Sequence, residues 1–187
     1  KKYIIPIAWC DDISTALSKD YNILEIEKTR QFRYDNLYFD TPENICLQDH
    51  IRGRKKRFKV RIRSYSNSNI SFLEVKSRNV YGRSQKMRIQ RTSEKWDGPF
   101  TTKEQAFLAE CVPFAAELKP VLYSSYSRYT IANIEKGERI TFDTNLEYKT
   151  LTGETFKPLD GLAVVELKQG ETDRRSPLNR IFRERTD

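Results

Sequence analysis

Lysine and arginine recur at every second residue in several short segments, and that spacing is a chemical signal. In FKVRIRSY, Lys59, Arg61 and Arg63 alternate with Phe58, Val60 and Ile62. In FLEVKSR the set is Phe72, Glu74, Lys76 and Arg78 against Leu73 and Val75; in SQKMRIQ it is Lys86 and Arg88 against Met87 and Ile89. Arg139, Thr141 and Asp143 alternate with Ile140 and Phe142, and Glu166 and Lys168 with Val165 and Leu167. Side chains two apart share one face of a strand, so each segment reads as a strand with one charged and one apolar face. A solvated sheet face would account for any one of them. Repetition asks for more, because like charges set side by side destabilise a sheet unless something negative lies among them. Glu74, Asp143 and Glu166 supply part of that negative charge. A multivalent anion would supply the rest, and Mg2+ or Mn2+ could sit between a carboxylate and phosphate oxygens.

The elements that must position these residues are mostly strands. Segments rich in β-branched and aromatic residues predict strands over 3–7, 22–26, 36–39, 58–65, 70–76, 84–90, 123–131, 138–143 and 162–168. Helices are predicted over about 11–19, over 42–51 behind a Thr41 cap with Pro42 in the first turn, over 102–111, and from Ser176-Pro177 through LNRIFRER. Turns fall at 66–69, Tyr81-Gly82, Lys136-Gly137 and Thr152-Gly153. The expected class is α+β, mainly antiparallel β, in a single domain over 1–187.

With 34 Lys and Arg against 26 Asp and Glu, the formal charge of +8 favours an acidic partner but does not choose among nucleic acid, an anionic membrane and a small polyanion. Cys10, Cys46 and Cys111 are odd in number and far apart, which argues against a disulfide framework or a zinc site and for a reducing, cytoplasmic setting. No apolar run approaches the length of a membrane helix, and the short apolar stretch near the start is no signal peptide, so a soluble chain is expected. The first residues already read as strand, which suggests that residues precede them. The common nucleotide and zinc motifs are absent. His50 reads as a surface or capping histidine, and no Ser or Cys has a histidine to activate it. Arg52–Arg57 reads equally as a nucleic-acid patch or as the mouth of an anion site. Glu25 and Glu27 read as a solvent edge, since the polar stretch TRQFRYD rather than a patterned strand follows them.

Taken in order, Tyr38-Phe39-Asp40-Thr41-Pro42, Asp49-His50-x-x-Gly53-Arg54, Arg57 to Arg63 with Tyr65, Phe72 to Lys76, Arg128, Arg139 to Asp143 and Val165 to Lys168 resemble the VTC domain. That domain is the catalytic module of the vacuolar transporter chaperone polyphosphate polymerases, a family with bacterial members, among which this chain is expected. The resemblance runs from Lys2 to Lys168 and implies the triphosphate tunnel metalloenzyme, or CYTH-like, fold: an eight-stranded antiparallel barrel with a basic interior and flanking helices. It implies transfer of the γ-phosphoryl group of ATP to polyphosphate with Mn2+ or Mg2+. Arg61, Arg63, Lys76, Lys86, Arg128 and Arg139 would be catalytic phosphate holders; Lys2, Lys59, Arg78, Arg88 and Lys168 would bind substrate; Glu166, with Glu74 and Asp143, would serve the metal. The chain departs from the family in three places. The glutamate of an opening E-x-K would precede residue 1, a closing Ser-Lys-Tyr-like segment is not in the sequence, and Arg78 stands where the eukaryotic polymerase resembles a histidine. Hydrolysis of triphosphate or polyphosphate, and a weakly catalytic polyphosphate sensor, are the alternative readings. An RNA-binding role is favoured by charge alone, because the basic faces look nearly devoid of aromatic residues apart from Phe72.

Overall fold

The computed structural model describes residues 1–170, 173 and 175–186. The alternating segments form strands in every case, and the elements in chain order are β1 (Lys2–Pro6), α1 (Trp9–Leu17), β2 (Asn22–Ile23), β3 (Gln31–Asp40), α2 (Ile45–Ile51), β4 (Arg57–Tyr65), β5 (Ile70–Arg78), β6 (Ser84–Gln90), α3 (Thr102–Cys111), β7 (Lys119–Asn133), β8 (Glu138–Lys149), β9 (Thr155–Phe156), β10 (Leu162–Gln169) and α4 (Pro177–Thr186). The chain is therefore α+β and mainly antiparallel β. Hydrogen-bonded neighbours follow the order β1-β10-β8-β7-β3-β4-β5-β6, with β2 on β7 and β9 on β8. Eight strands make up that path, as expected. Among the described residues the path runs from β1 at one end to β6 at the other.

Contacts group the chain into two compact units that interleave in sequence. The first takes Lys1–Arg33, Tyr126–Glu147 and Lys157–Asp187; the second takes Tyr34–Ser125 and Tyr148–Phe156. In the first unit, Ile140, Phe142, Val165 and Leu167 point from β8 and β10 into a core closed by Ile13 and Leu17 of α1 and by Leu178 and Phe182 of α4. These are the apolar partners that alternate with Arg139, Thr141, Glu166 and Lys168, so burying one set fixes the other on the opposite face. The Glu138 carboxylate accepts hydrogen bonds from the Tyr21 hydroxyl, from Ser176 at 3.1 Å and from the Gln169 amide at 2.6 Å, which ties the start of α4 to the sheet. In the second unit, Leu37, Val60, Ile62, Leu73, Val75 and Leu108 form the core beneath α3. That helix opens on a capping box in which Thr101 and Glu104 satisfy each other's backbone N–H groups.

Several boundaries differ from expectation: the predicted strand over 22–26 is reduced to Asn22–Ile23 and the helix predicted over 11–19 runs from Trp9 to Leu17, and three further differences bear on the site. The predicted helix over 42–51 begins only at Ile45, because Asn44 adopts a left-handed conformation with φ 57°. Its cap is Asp40 as much as Thr41. The buried Asp40 carboxylate accepts from the backbone N–H groups of Thr41 at 2.8 Å, Cys46 at 2.8 Å and Leu47 at 3.0 Å, whereas Thr41 Oγ1 accepts from Ile45 at 3.3 Å. Replacing a capping carboxylate with alanine costs on the order of 2 kcal/mol when the freed donors are buried. Asp40→Ala should therefore lower the urea midpoint by that much stability, and an unchanged midpoint would contradict the cap. The second difference is β3, which starts at Gln31: QFRYD, read as a polar stretch, is a strand because pairing of Tyr34 with Tyr65 and Asp35 with Ser64 carries the ladder past its charges. The third is that β7 and β8 extend several residues beyond their predicted ends, each running from one unit into the other.

Candidate functional site

Antiparallel register places directly opposite residues on one face, so the charged rows follow from the pairing. In the second unit, Lys59 of β4 lies opposite Lys76 of β5, which lies opposite Lys86 of β6. The next row is Arg61, Glu74 and Arg88, and Arg57 stands opposite Arg78. Glu74 is the hinge of this face. Its side chain is 2% exposed, both Nε and Nη2 of Arg61 donate to its Oε2 at 2.8 and 2.7 Å, and Lys86 Nζ lies 2.5 Å from its Oε1. Burial pushes the Glu74 carboxyl up, but Arg61, Lys86 and Arg63 together pull harder and hold it below the ordinary range. Burial alone would lower the Arg61 guanidinium, yet Tyr38 and Glu74 raise it above its usual value.

Two residues that sequence reasoning missed complete this face. Tyr38 of β3 lies opposite Arg61, and Lys59 Nζ sits 5.2 Å from its ring centre. Burial raises its phenol, but Arg61, Lys59 and Arg63 outweigh that and lower it, which marks a positive field where an anion is favoured. Asn36 accepts from Arg63 Nε at 2.8 Å while its own amide donates to the carbonyl and hydroxyl of Ser124 at 3.2 and 3.3 Å, fixing the arginine in place. The spacing Tyr34, Asn36, Tyr38 is the signal that could have found them. Parity also puts Tyr34 and Tyr65 on the charged face beside Phe72, so the expectation that basic faces lack aromatics is corrected. Arg78 donates from Nε to the Gly82 carbonyl at 3.0 Å in the turn between β5 and β6. Gly82 has φ 80°, and a Cβ there would come 3.2 Å from Arg78 Nη2, so a side chain would both strain the turn and displace the arginine.

In the first unit, Lys2 of β1 lies opposite Glu166 of β10, Glu166 opposite Thr141, and Lys168 opposite Arg139. Arg128 grips Asp143 through two bonds, Nε to Oδ1 at 2.5 Å and Nη2 to Oδ2 at 2.7 Å. Lys168 Nζ stands 3.7 Å from Glu166 Oε2. A cleft of about 400 Å³ opens beside these residues, lined by Asn133, Gly137, Arg139, Lys168 and Gln169 among others. The run 52–57 is largely a turn that delivers the chain into β4, with Arg57 donating to the Arg54 carbonyl at 2.8 Å. His50 lies in the last turn of α2, near the helix end as expected.

Every sequence-predicted site residue thus falls on one of two faces. Arg61, Arg63, Lys59, Lys76, Arg78, Lys86, Arg88 and Glu74 share the second unit; Lys2, Arg128, Arg139, Asp143, Glu166 and Lys168 share the first. Among the described residues no three His, Cys, Asp or Glu side chains converge as a ready metal cage. The donor chemistry still suits Mg2+ or Mn2+, which commonly takes one or two carboxylates and fills its remaining places with water and substrate phosphate. Glu74 and Asp143 are occupied by arginines, whereas among the described residues Glu166 has only a 3.7 Å lysine contact, and its side chain is 24% exposed.

Fold and faces define a class: an antiparallel β protein carrying ordered cross-strand rows of cations. The VTC domain family model matches residues 1–186, and the chain belongs to that family. Membership associates it with polyphosphate and triphosphate chemistry. No curated protein matches the chain by sequence. Among solved structures, a candidate adenylate cyclase from Bacillus halodurans matches at 15% identity and TM-score 0.55, covering 99% of this chain and 87% of that one. A candidate adenylyl cyclase from Hippeastrum, described as having a dominant triphosphatase activity, matches at 14% identity and TM-score 0.54, covering 98% and 84%. A candidate adenylate cyclase from Vibrio parahaemolyticus matches at 15% identity and TM-score 0.50, covering 99% and 82%. At such identities the likeness is one of fold. No helix among the described residues is long and apolar enough to cross a membrane.

Proposed function

We propose that the protein is a divalent-metal-dependent polyphosphate polymerase that transfers the γ-phosphoryl group of ATP to the end of a polyphosphate chain, releasing ADP. One observation carries the reading. Across β4, β5 and β6, the rows Lys59–Lys76–Lys86 and Arg61–Glu74–Arg88 set five cations around one buried carboxylate. Such a face is costly unless a multivalent anion lies on it, and VTC domain membership supports a condensed phosphate as that anion.

Phosphoryl transfer asks little covalent chemistry of a protein; it needs positioning and stabilisation of charge on the phosphoryl oxygens. Arg61, oriented by Glu74, and Arg63, oriented by Asn36, would hold phosphates in fixed directions. Lys59, Lys76, Lys86 and Arg88 would bind as more mobile charges, with Arg78 at the far row. On the first unit's face, Arg128, oriented by Asp143, would act with Lys2, Arg139 and Lys168. Glu166 would hold the Mn2+ or Mg2+, whose contribution is to neutralise charge on phosphate oxygens.

Hydrolysis of triphosphate or polyphosphate is the second reading, favoured by the triphosphatase activity described for the structural neighbour from Hippeastrum. The same cations would serve, with water in place of the chain end as acceptor. Incubation with ATP and Mn2+ separates the two: long polyphosphate on a gel supports synthesis, and orthophosphate release without polymer supports hydrolysis.

Either reading predicts that tripolyphosphate binds far more tightly than orthophosphate, because one chain engages several cations without a separate association cost for each. By calorimetry in low salt the gap should be at least about a hundredfold, and it should narrow as salt rises. Equal affinities would sink the proposal.

A further inference from the structure

Resting on the reading that the second unit's cationic face takes a triphosphate, we propose that the aromatic end of that face seats the base of a nucleoside triphosphate. Tyr34, Tyr65 and Phe72 meet there on three neighbouring strands. The rings of Tyr34 and Tyr65 lie 5.1 Å apart, and Tyr65 meets Phe72 edge-on at 5.9 Å. Two arginines lie over these rings: Arg63 Cζ is 5.0 Å from the centre of Tyr34, and Arg88 Cζ is 4.5 Å from that of Phe72. Register places Gln90 opposite Phe72 and Ile70 opposite Tyr65, so the patch runs to the end of the ladder.

Rings and guanidinium planes of this kind are the surfaces on which bases stack, whatever the pattern of hydrogen-bonding groups on the base edge. All three rings are half-buried and so keep some apolar surface that a flat ligand would cover. Direction follows from the rows. The row of Phe72 and Arg63 lies four residues from that of Lys76 and Lys59, which is about 13 Å along an extended strand. An extended nucleotide spans a comparable distance from its base to its terminal phosphate. The base would therefore lie at Phe72 and the terminal phosphate near Lys59, Lys76 and Lys86, with Arg61 and Arg88 between. Because the contact is a stack, purine triphosphates should bind alike and better than pyrimidine triphosphates.

The test compares ATP with methyl triphosphate, which carries an equally esterified triphosphate but no base, alongside tripolyphosphate, all by calorimetry on the full chain. ATP should bind on the order of tenfold more tightly than methyl triphosphate. Phe72→Leu, which keeps an apolar side chain but removes the ring, should erase most of that advantage while the methyl triphosphate Kd moves less than about threefold. Tyr65→Leu should act in the same direction if Phe72→Leu does not fold. Equal affinity of wild type for ATP and methyl triphosphate would overturn the proposal and leave the phosphate reading standing. An equal loss for both ligands in the folded variants would overturn it as well, since the rings would then merely support the arginines. Failure of all three ligands to bind would overturn both this proposal and the function from which it starts.

Discussion

Glu74→Gln is expected to destabilise the protein by about 3 kcal/mol in the absence of polyanions and to be rescued by tripolyphosphate. Removing one member of a buried ion pair typically costs about 3–5 kcal/mol, because the partner is left with an uncompensated charge. The lower figure applies here, since Lys86 is 47% exposed and Arg61 19%, so both can recover some hydration. What remains is a face on which Arg61, Arg88, Lys59, Lys76 and Lys86 lie across adjacent strands with no carboxylate among them. A bound tripolyphosphate would return that negative charge and stabilise the folded chain by mass action. The variant should therefore show a larger ligand-induced rise in Tm than the parent. The sign of the pH effect follows from Glu74 being held below its ordinary value. Its stabilising share is present above the unfolded carboxyl value, near 4.5, and is lost as pH falls through the lower folded value. As pH falls below about 4.5, wild type should begin to lose this contribution and Glu74→Gln should not. A variant as stable as the parent without ligand, or one whose Tm tripolyphosphate leaves unmoved, would show that Glu74 is not the counter-charge of this face.

Much of this arrangement is legible in the sequence because parity in a strand is a strict rule. Once Val60, Ile62, Leu73 and Val75 are assigned to a core, Arg61, Arg63 and Glu74 have only the other face. Tyr65 is legible on the same ground. What parity does not give is register. That Glu74 meets Arg61 and Arg88 rather than Lys59, or that Asp143 is taken by Arg128, depends on which residues stand opposite across the ladder, and turns and core packing decide that. Hence parity alone offers three carboxylates to a metal, whereas two of them hold arginines. The start of α2 was hidden for a similar reason: Asp40 reaches forward to Cys46 and Leu47 around the left-handed Asn44, a geometry that Thr41-Pro42 does not announce. The β3 segment misled by charge. Arg33 and Asp35 make QFRYD read as a polar stretch, while Phe32 and Tyr34 are the alternating signal.

The sharpest separation of enzyme from binder comes from Glu166→Gln set against Arg61→Ala. Glu166 lies between Lys2 and Thr141 in register and among the described residues keeps only a 3.7 Å contact to Lys168, so of the three candidate carboxylates it is the one able to offer oxygen to a metal without first breaking an arginine pair. A divalent ion is worth several kcal/mol of charge stabilisation during phosphoryl transfer, and each 1.36 kcal/mol is tenfold in rate. Glu166→Gln should thus lower ATP turnover with Mn2+ by at least about a hundredfold. Tripolyphosphate affinity measured without metal should hold or tighten, because the substitution removes one negative charge from a basic face. Arg61→Ala should weaken both, since an arginine on phosphate stabilises ground and transition states alike and only the excess in the transition state appears in the rate. Its loss also leaves Glu74 without its arginine partner and with Lys86 as its remaining ion pair, so part of the weakened binding would come from a less compensated carboxylate repelling the anion. Full turnover in Glu166→Gln would remove Glu166 from the metal site. Absence of turnover in the parent chain with Mn2+ and with Mg2+, while tripolyphosphate still binds tightly and Arg61→Ala still weakens it, would identify a polyphosphate-binding module in place of an enzyme.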